Sequence, residues 1–356
     1  VYETPYDALV PFGWGPRVHA LFSDVLKAAD TVPGRVTRSE RDFCRVVSED
    51  GEVLARSRAR PGDAVPAVGD WVALRAVARE LVIDTVVPRW SALVRGDPDT
   101  GSEQTLAANV DIVIVTAPTD RLSAARVERE LVLAWESGAQ PIVAVTKADL
   151  APAHVVDELR ARLATVDVIA TSVVTGEGVD TVASRVAPDR TAVLLGPSGA
   201  GKSSLANALL GEARLSVRDV RERDRRGRHT TTWRELVVVP TGGVLIDTPG
   251  VRGLALVDGD VGVARTFEDI ETLTPLCRFA DCSHAAEPGC AVLAAIADGR
   301  IGPERLVSWR KLQRELAVRD PGRRREVRAA GRKRVLGARQ RRALDRRFDP
   351  RRSDDD

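Results

Sequence analysis

From residue 111 onward the chain alternates short apolar runs with longer amphipathic stretches. Ile112-Val113-Ile114-Val115 gives way to a helical pattern over 123–137, then to Pro141-Ile142-Val143-Ala144-Val145 and a second helical pattern over 153–164. Val166-Asp167-Val168-Ile169, Ala192-Val193-Leu194-Leu195, Leu236-Val237-Val238-Val239 and Val244-Leu245-Ile246 continue the series. Such runs carry no polar face, and between helical stretches they predict strands buried on both sides. The alternation predicts a doubly wound α/β sheet, whose ligands gather at the carboxyl ends of its strands.

Residues 35–95 follow a different rhythm. Polar and apolar positions alternate there between turn signals: Arg45-Val46-Val47, Glu49-Asp50-Gly51, Val53-Leu54, Pro61-Gly62-Asp63, Gly69-Asp70-Trp71-Val72-Ala73-Leu74, then Leu81-Val82-Ile83. About five short strands in this space suit a small closed β-barrel of the OB-fold type, either an oligonucleotide-binding surface or a structural barrel. Ile301 to Leu316 reads as a helix, and arginines crowd the segment after Asp320. The expected division is an N-terminal extension over 1–34, a barrel over 35–97 and an α/β domain over 98–257. A metal-binding, mainly helical domain over 258–318 and an arginine-rich tail over 319–356 complete it.

Composition narrows the class. With 44% hydrophobic and 29% charged residues the chain reads as globular, and no apolar run is long enough to span a bilayer. The first residues lack a signal-peptide pattern, so a cytoplasmic protein without a membrane partner is expected. The net charge of +2 hides the basic tail, for which RNA phosphate is the functional reading and a solvated helical face the plain one. Lys occurs only at 27, 147, 202, 311 and 333, and two of these fall in motifs.

Gly196-Pro197-Ser198-Gly199-Ala200-Gly201-Lys202-Ser203 follows an apolar run and opens a helical one beginning Ser204-Leu205. Glycines let the backbone wrap a phosphate chain with its amides inward, and the helix N-terminus adds partial positive charge. Lys202 is expected on the β- and γ-phosphates, Ser203 on Mg²⁺, and Ser204 among the phosphate contacts. Thr146-Lys147-Ala148-Asp149, just past a strand, resembles the guanine motif of GTPases with Thr in place of Asn. Asp149 there accepts hydrogen bonds from the guanine ring NH and exocyclic amine, a pattern adenine does not offer. Ser172-Val173, after another strand, resembles the last GTPase motif, whose backbone amides meet the guanine carbonyl. Asp247-Thr248-Pro249-Gly250 resembles the γ-phosphate sensor: Asp247 toward Mg²⁺ and the Gly250 amide toward the γ-phosphate.

The order of these motifs is itself informative, since the guanine motifs precede the phosphate loop: the domain is circularly permuted, a rearrangement that surface-lying termini make cheap. Between the phosphate loop and Asp247 lies Gly227-Arg228-His229-Thr230-Thr231-Thr232, in the position of switch I. Thr231 is expected to complete the Mg²⁺ shell and His229 to orient or deprotonate the attacking water, the alternative for His229 being an exposed loop imidazole. Val251 stands where many GTPases carry a water-orienting Gln, so slow unaided turnover is expected. Cys277, Cys282, His284 and Cys290 supply three thiolates and an imidazole, a donor set for a closed structural Zn²⁺ site.

Taken together, the permuted motifs, Gly-Arg-His-Thr-Thr-Thr at 227–232, the metal spacing and Leu9-Val10-Pro11-Phe12-Gly13-Trp14 resemble the ribosome small-subunit-dependent GTPase A family over nearly the whole chain. The resemblance implies GTP hydrolysis coupled to late maturation of the small ribosomal subunit, contact with its rRNA, and turnover stimulated by that subunit. GTP and GDP, Mg²⁺ and one Zn²⁺ are the expected ligands, and a monomer the expected state. Two other classes fit parts of the pattern: an ATPase or kinase sharing only the phosphate loop, and a nucleotide-regulated RNA-binding protein with little hydrolysis.

Overall fold

Alternation in the first hundred residues closes into a barrel. In the computed structural model, which describes residues 6–23, 25, 30–40, 42–57, 63–96, 103–211, 234–247 and 259–319, a short helix α1 (Pro16–Phe22) precedes five strands. These are β1 (Thr31–Ser39), β2 (Phe43–Ser48), β3 (Gly51–Ser57), β4 (Trp71–Val77) and β5 (Glu80–Val86), closed in the order β1-β2-β3-β5-β4. The β3–β5 pairing is parallel and the other pairs antiparallel, the connectivity of an OB-fold. Inward residues Val36, Cys44, Val46, Ala55, Val72, Leu74 and Ile83 fill the barrel. One end is plugged by Leu9, Trp14, Val18 and Phe22 against Val47, Trp71, Ala73 and Val87, with Trp14 and Trp71 edge-to-face at 5.4 Å.

Two boundaries differ from expectation. The barrel opens at Thr31 rather than at 35, because β1 pairs back with β4 as far as Thr31 opposite Arg75. A break at 97/98 would cut a hairpin. There β6 (Ala92–Gly96) pairs antiparallel with β7 (Glu103–Ala108), and Leu93 and Leu106 are buried in the α/β core rather than in the barrel.

The α/β sheet comprises β8 (Ile112–Pro118), β9 (Gln140–Thr146), β10 (Val168–Thr171), β11 (Thr191–Leu195), β12 (Glu235–Val238) and β13 (Val244–Asp247). Its order is β10-β9-β8-β11-β13-β12, parallel throughout except for the edge strand β12. Between strands run α2 (Ala124–Glu136), α3 (Ala153–Arg162), α4 (Val179–Arg185) and α5 (Lys202–Leu210). Strand alternation divides the core in two. Val113, Val115, Val143, Val145, Val193 and Ile246 face α2 and α3, whereas Ile112, Ile114, Ile142, Ala144, Leu194 and Leu245 face α4 and α5. The expected strand at 166–169 begins two residues later, at Val168, where pairing with Val143 starts.

Barrel and sheet form one compact unit, Val1–Val257, in which a buried charge joins them. Arg35 of β1 is 1% exposed; it donates to Thr191 Oγ1 of β11 at 2.7 Å and to the carbonyl of Phe12, and lies 5.0 Å over the Trp71 ring. Burial pulls this guanidinium down to about 10, against Asp111 and Asp70, so it remains charged at neutral pH.

The second unit is Asp258–Asp356. Its described part holds α6 (Asp260–Thr266), α7 (Glu268–Glu271), α8 (Ala291–Ala297) and α9 (Pro303–Arg319). Apolar Val263, Phe267, Ile270, Val292, Leu306 and Leu312 are buried here, and Arg305 is pinned to Asp269 and to the carbonyl of Thr266. The tail beyond 319 lies outside the described residues.

Candidate functional site

At the carboxyl ends of the parallel strands, β11 runs into the loop 196–201 and α5 begins at Lys202. The turn into this loop needs glycine: Gly196 has φ +149°, and a Cβ there would lie 2.2 Å from Thr116 Oγ1 of β8. Lys202 Nζ donates to the carbonyls of Gly196 and Pro197 at 2.8 and 2.7 Å, so the ammonium lies across the loop that its own residue closes. Ser203 is exposed and Ser204 half-buried in the first turn of α5, where unpaired helix amides and the helix dipole favour an anion.

The guanine motif reaches this loop through a hydrogen bond. Thr146 ends β9, 5% exposed, and its hydroxyl donates to the carbonyl of Ala200 at 2.7 Å. Lys147 turns the chain with φ 58°; its carbonyl accepts from Thr119 Oγ1 at 2.7 Å, and its ammonium bonds Asp120 at 2.8 Å. Ala148 and Asp149 form the next turn, with Asp149 exposed. In β10, Thr171 lies opposite Thr146, which sets the loop beginning Ser172-Val173 beside the guanine motif. Ser172 is buried and its Oγ accepts from the amides of Val174 and Thr175 at 3.2 and 3.3 Å, holding a tight turn.

Asp247 closes β13, and the pairing of Ile246 with Val193 of β11 carries it to the same edge of the sheet. Residues 146–149, 172–173, 196–204 and 247, scattered along the chain, therefore meet at one sheet edge. His229, Thr231 and Gly250 lie outside the described residues. Sequence reading missed two residues at this edge, Asp120 and Arg121. They sit in the turn after β8 and belong to no motif, and in an arginine-rich chain a lone Asp-Arg pair gives no signal.

The Cys and His cluster is built by short elements of the second unit. Cys277 follows a turn at Thr274–Leu276, His284 takes a left-handed φ of 58°, and Cys290 caps α8, its Sγ accepting the Leu293 amide at 3.4 Å. The ligand atoms of Cys277, Cys282, His284 and Cys290 lie within 4.8 Å of one another. Cys277 Sγ is 3.8 Å from Cys290 Sγ, and His284 Nδ1 is 3.5 and 3.4 Å from these two sulfurs. Tetrahedral zinc with its usual bond lengths needs edges of about 3.8 Å between sulfurs and about 3.6 Å between sulfur and nitrogen. The residues fit that ion.

Electrostatics agree. Burial, with the adjoining thiols, pushes the Cys282 thiol up to about 12, and a bound cation would favour its thiolate. Burial also pulls the His284 imidazole down, which keeps it neutral and able to offer its lone pair. The Glu287 carboxylate accepts from Ser283 Oγ and from the amides of Ser283, Ala285 and Ala286, and these bonds draw it to about 2 and fix the turn between ligands. Trp309 of α9 packs on the His284 ring at 5.4 Å and donates to Glu271 at 2.8 Å.

Comparison with known proteins matches residues 86–257 to the RsgA GTPase family model. The small ribosomal subunit biogenesis GTPase RsgA of Streptomyces coelicolor is 47% identical over 320 residues, covering 87% of this chain and 87% of that protein. A protein of the same description from Lactiplantibacillus plantarum is 39% identical, over 87% of this chain and 89% of its own length. Among solved structures, YjeQ from Thermotoga maritima superposes with a TM-score of 0.63 at 26% identity, over 82% of this chain and all of that one. YloQ, described as a circularly permuted GTPase, gives 0.58 at 25% identity, over 82% of this chain and 97% of that one.

Proposed function

Because this chain belongs to the RsgA GTPase family and is a GTP hydrolase, we propose that it spends GTP on late maturation of the small ribosomal subunit, binding that subunit's rRNA and turning over faster when docked on it. Relatives described as small ribosomal subunit biogenesis GTPases cover most of the chain and support the partner. In this reading the chain works in the cytoplasm as a monomer; among the described residues no helix is long and apolar enough to cross a membrane.

In this reading the loop 196–201, Lys202, Ser203 and Ser204 hold the phosphates, and Asp149, with Thr146, Lys147, Ala148, Ser172 and Val173 around it, selects guanine. Ser203 and Asp247, with Thr231, offer hydroxyl and carboxylate oxygens, the hard donor set that Mg²⁺ prefers. Bound there, Mg²⁺ neutralises phosphate charge. The Gly250 amide meets the γ-phosphate, Lys202 stabilises charge developing on the leaving group, and His229 orients or deprotonates water. Cys277, Cys282, His284 and Cys290 hold one structural Zn²⁺, with no ligand position left for chemistry. The barrel and the arginine-rich tail supply the RNA-facing surfaces.

One observation carries the assignment: the hydrogen bond from Thr146 to Ala200 joins a base-selecting segment to a phosphate-binding one across 54 positions of sequence. The test is turnover of GTP and of ATP, with and without purified small subunits, by the wild type and by Lys202→Ala. Stimulated GTP turnover that Lys202→Ala abolishes is expected. A preference for ATP, or unchanged GTP affinity and turnover in Lys202→Ala, would overturn the reading.

A further inference from the structure

The turn that follows β8 places a second cation on the phosphate loop. The residues Thr119–Arg121 form one 3-10 turn, and the guanidinium of Arg121 reaches the loop, with Nη2 3.5 Å from the carbonyl oxygen of Gly199. It lies close against the loop backbone: at Gly199, with φ +75°, an added Cβ would stand 2.8 Å from Nη2. The neighbouring peptide is held too, since the Ala200 carbonyl accepts from Thr146. Two consecutive loop carbonyls are thus held by side chains from two different strand ends. A trans peptide aims its amide opposite to its carbonyl, so anchoring these carbonyls also fixes the direction of the following amides.

Arg121 is also one end of a chain of charges. Its Nε is 3.8 Å from Asp120 Oδ1, and Asp120 Oδ2 accepts from Lys147 Nζ at 2.8 Å. The Lys147 hydrogen bond holds the Asp120 carboxyl below its usual range, so the chain reads cation, anion, cation. One positive charge is left over where the phosphate loop meets the guanine motif. The arginine side chain is 60% exposed, free to respond to an anion placed at the loop.

We propose that Arg121 is a nucleotide-positioning residue, a guanidinium that braces the Gly199 carbonyl and lends positive charge to the phosphate chain of bound GTP and GDP. The inference rests on the phosphate-loop reading above. Because the side chain is exposed, its electrostatic part is screened by salt, whereas burial would have protected it.

The test measures equilibrium binding of fluorescent GTP and GDP analogues to the full chain at low and high ionic strength. The variants are Arg121→Ala, Arg121→Lys, Arg121→Gln and, as reference, Lys202→Ala. Arg121→Ala is expected to bind both nucleotides roughly three- to fivefold more weakly at 50 mM salt, with the difference shrinking at 500 mM. Arg121→Lys restores most of the loss and Arg121→Gln, which can bond the carbonyl without charge, little of it. Binding by Arg121→Ala within twofold of wild type at low salt overturns the proposal, as does full rescue by Gln. If Lys202→Ala also binds normally, the phosphate-loop reading itself has failed; if Lys202→Ala has lost binding, only the role of Arg121 has.

Discussion

The nucleotide loops hang from the ends of five strands, whereas the cluster of Cys277, Cys282, His284 and Cys290 takes every ligand from residues 277–290. β8, β9, β10, β11 and β13 lie in a sheet with helices packed on both faces, and that core fixes where their ends are whether or not a nucleotide binds. What crosses between loops there is a few hydrogen bonds, Thr146 to Ala200, Thr119 to Lys147 and Arg121 to Gly199, and the exposed ion pair of Lys147 with Asp120. Around the cluster, among the described residues, α9 is the one long helix packed on it, and most elements are short, α7 spanning Glu268–Glu271 and α8 Ala291–Ala297. Helices of that length do not persist without tertiary support. A sheet can prepare a site for a ligand that comes and goes; the ligand of a small loop-rich unit has to be part of its fold.

Removing the proposed zinc is the strongest way to break this contrast. Binding of structural zinc is worth on the order of 10 kcal/mol and is inseparable from folding of the segment around it. Cys277→Ser, or a strong chelator, is expected to strip hydrogen-exchange protection from residues 259–319 while β8, β9 and β11 keep theirs and GTP analogues still bind. Metal analysis of the wild type is expected to give one zinc per chain. Full protection of α8 and α9 in metal-free protein would mean that the second unit is as self-sufficient as the first.

A smaller effect tests the sheet side. Glu130 on α2 has a buried Oε2 with no hydrogen-bond partner among the described residues, and burial pushes its carboxyl from 4.5 up to about 7, opposed by Arg126, Lys202 and Arg129. The folded chain holds this proton more tightly than the unfolded one, so the contribution to stability is full below about 4.5 and is lost as pH rises toward 7. Glu130→Gln should remove that slope. The expected gain is up to about 3 kcal/mol at pH 8 and close to nothing at pH 4, read from urea unfolding at each pH. A variant with the wild-type slope would show that Glu130 is solvated, and that the helix beside the phosphate loop carries no such cost.

How much of this could be read from sequence follows the same division. Residues 196–203 and the Cys277, Cys282, His284 and Cys290 cluster announce themselves because the chemistry proposed for them demands fixed spacing along the chain. The sheet was legible because Ile112–Val115 and most of its counterparts are apolar at every position, and the barrel because turn residues separate short alternating runs. Long-range partnerships were not. Arg35 reads as one more arginine until β1 and β11 bring it to Thr191. Leu9, Trp14, Val18 and Phe22 carry no repeat that says they plug a barrel, and the hairpin of β6 and β7 looks like the edge of the barrel until Leu93 and Leu106 are seen in the α/β core. Arg121 shares that fate, since its meaning depends on a loop 78 positions away.

The most delicate test concerns Thr146, where the guanine motif departs from its usual Asn. One hydroxyl carries one donor hydrogen, and here it goes to the Ala200 carbonyl, inside the sheet edge and away from water. Thr146→Val keeps the shape and deletes the donor, leaving that carbonyl without its partner. A lost neutral hydrogen bond costs about 1 kcal/mol, which corresponds to roughly fivefold in affinity. Since the bond acts on the loop rather than on the base, GTP and GDP should weaken together, while the ratio of GTP to ATP binding, which Asp149 is proposed to set, should stay where it was. A shift in that ratio would place Thr146 against the base itself. Unchanged binding of all three nucleotides would mean that the sheet alone holds the loop, and that the hydrogen bond between the two motifs is incidental to the preorganisation on which the contrast with the metal cluster depends.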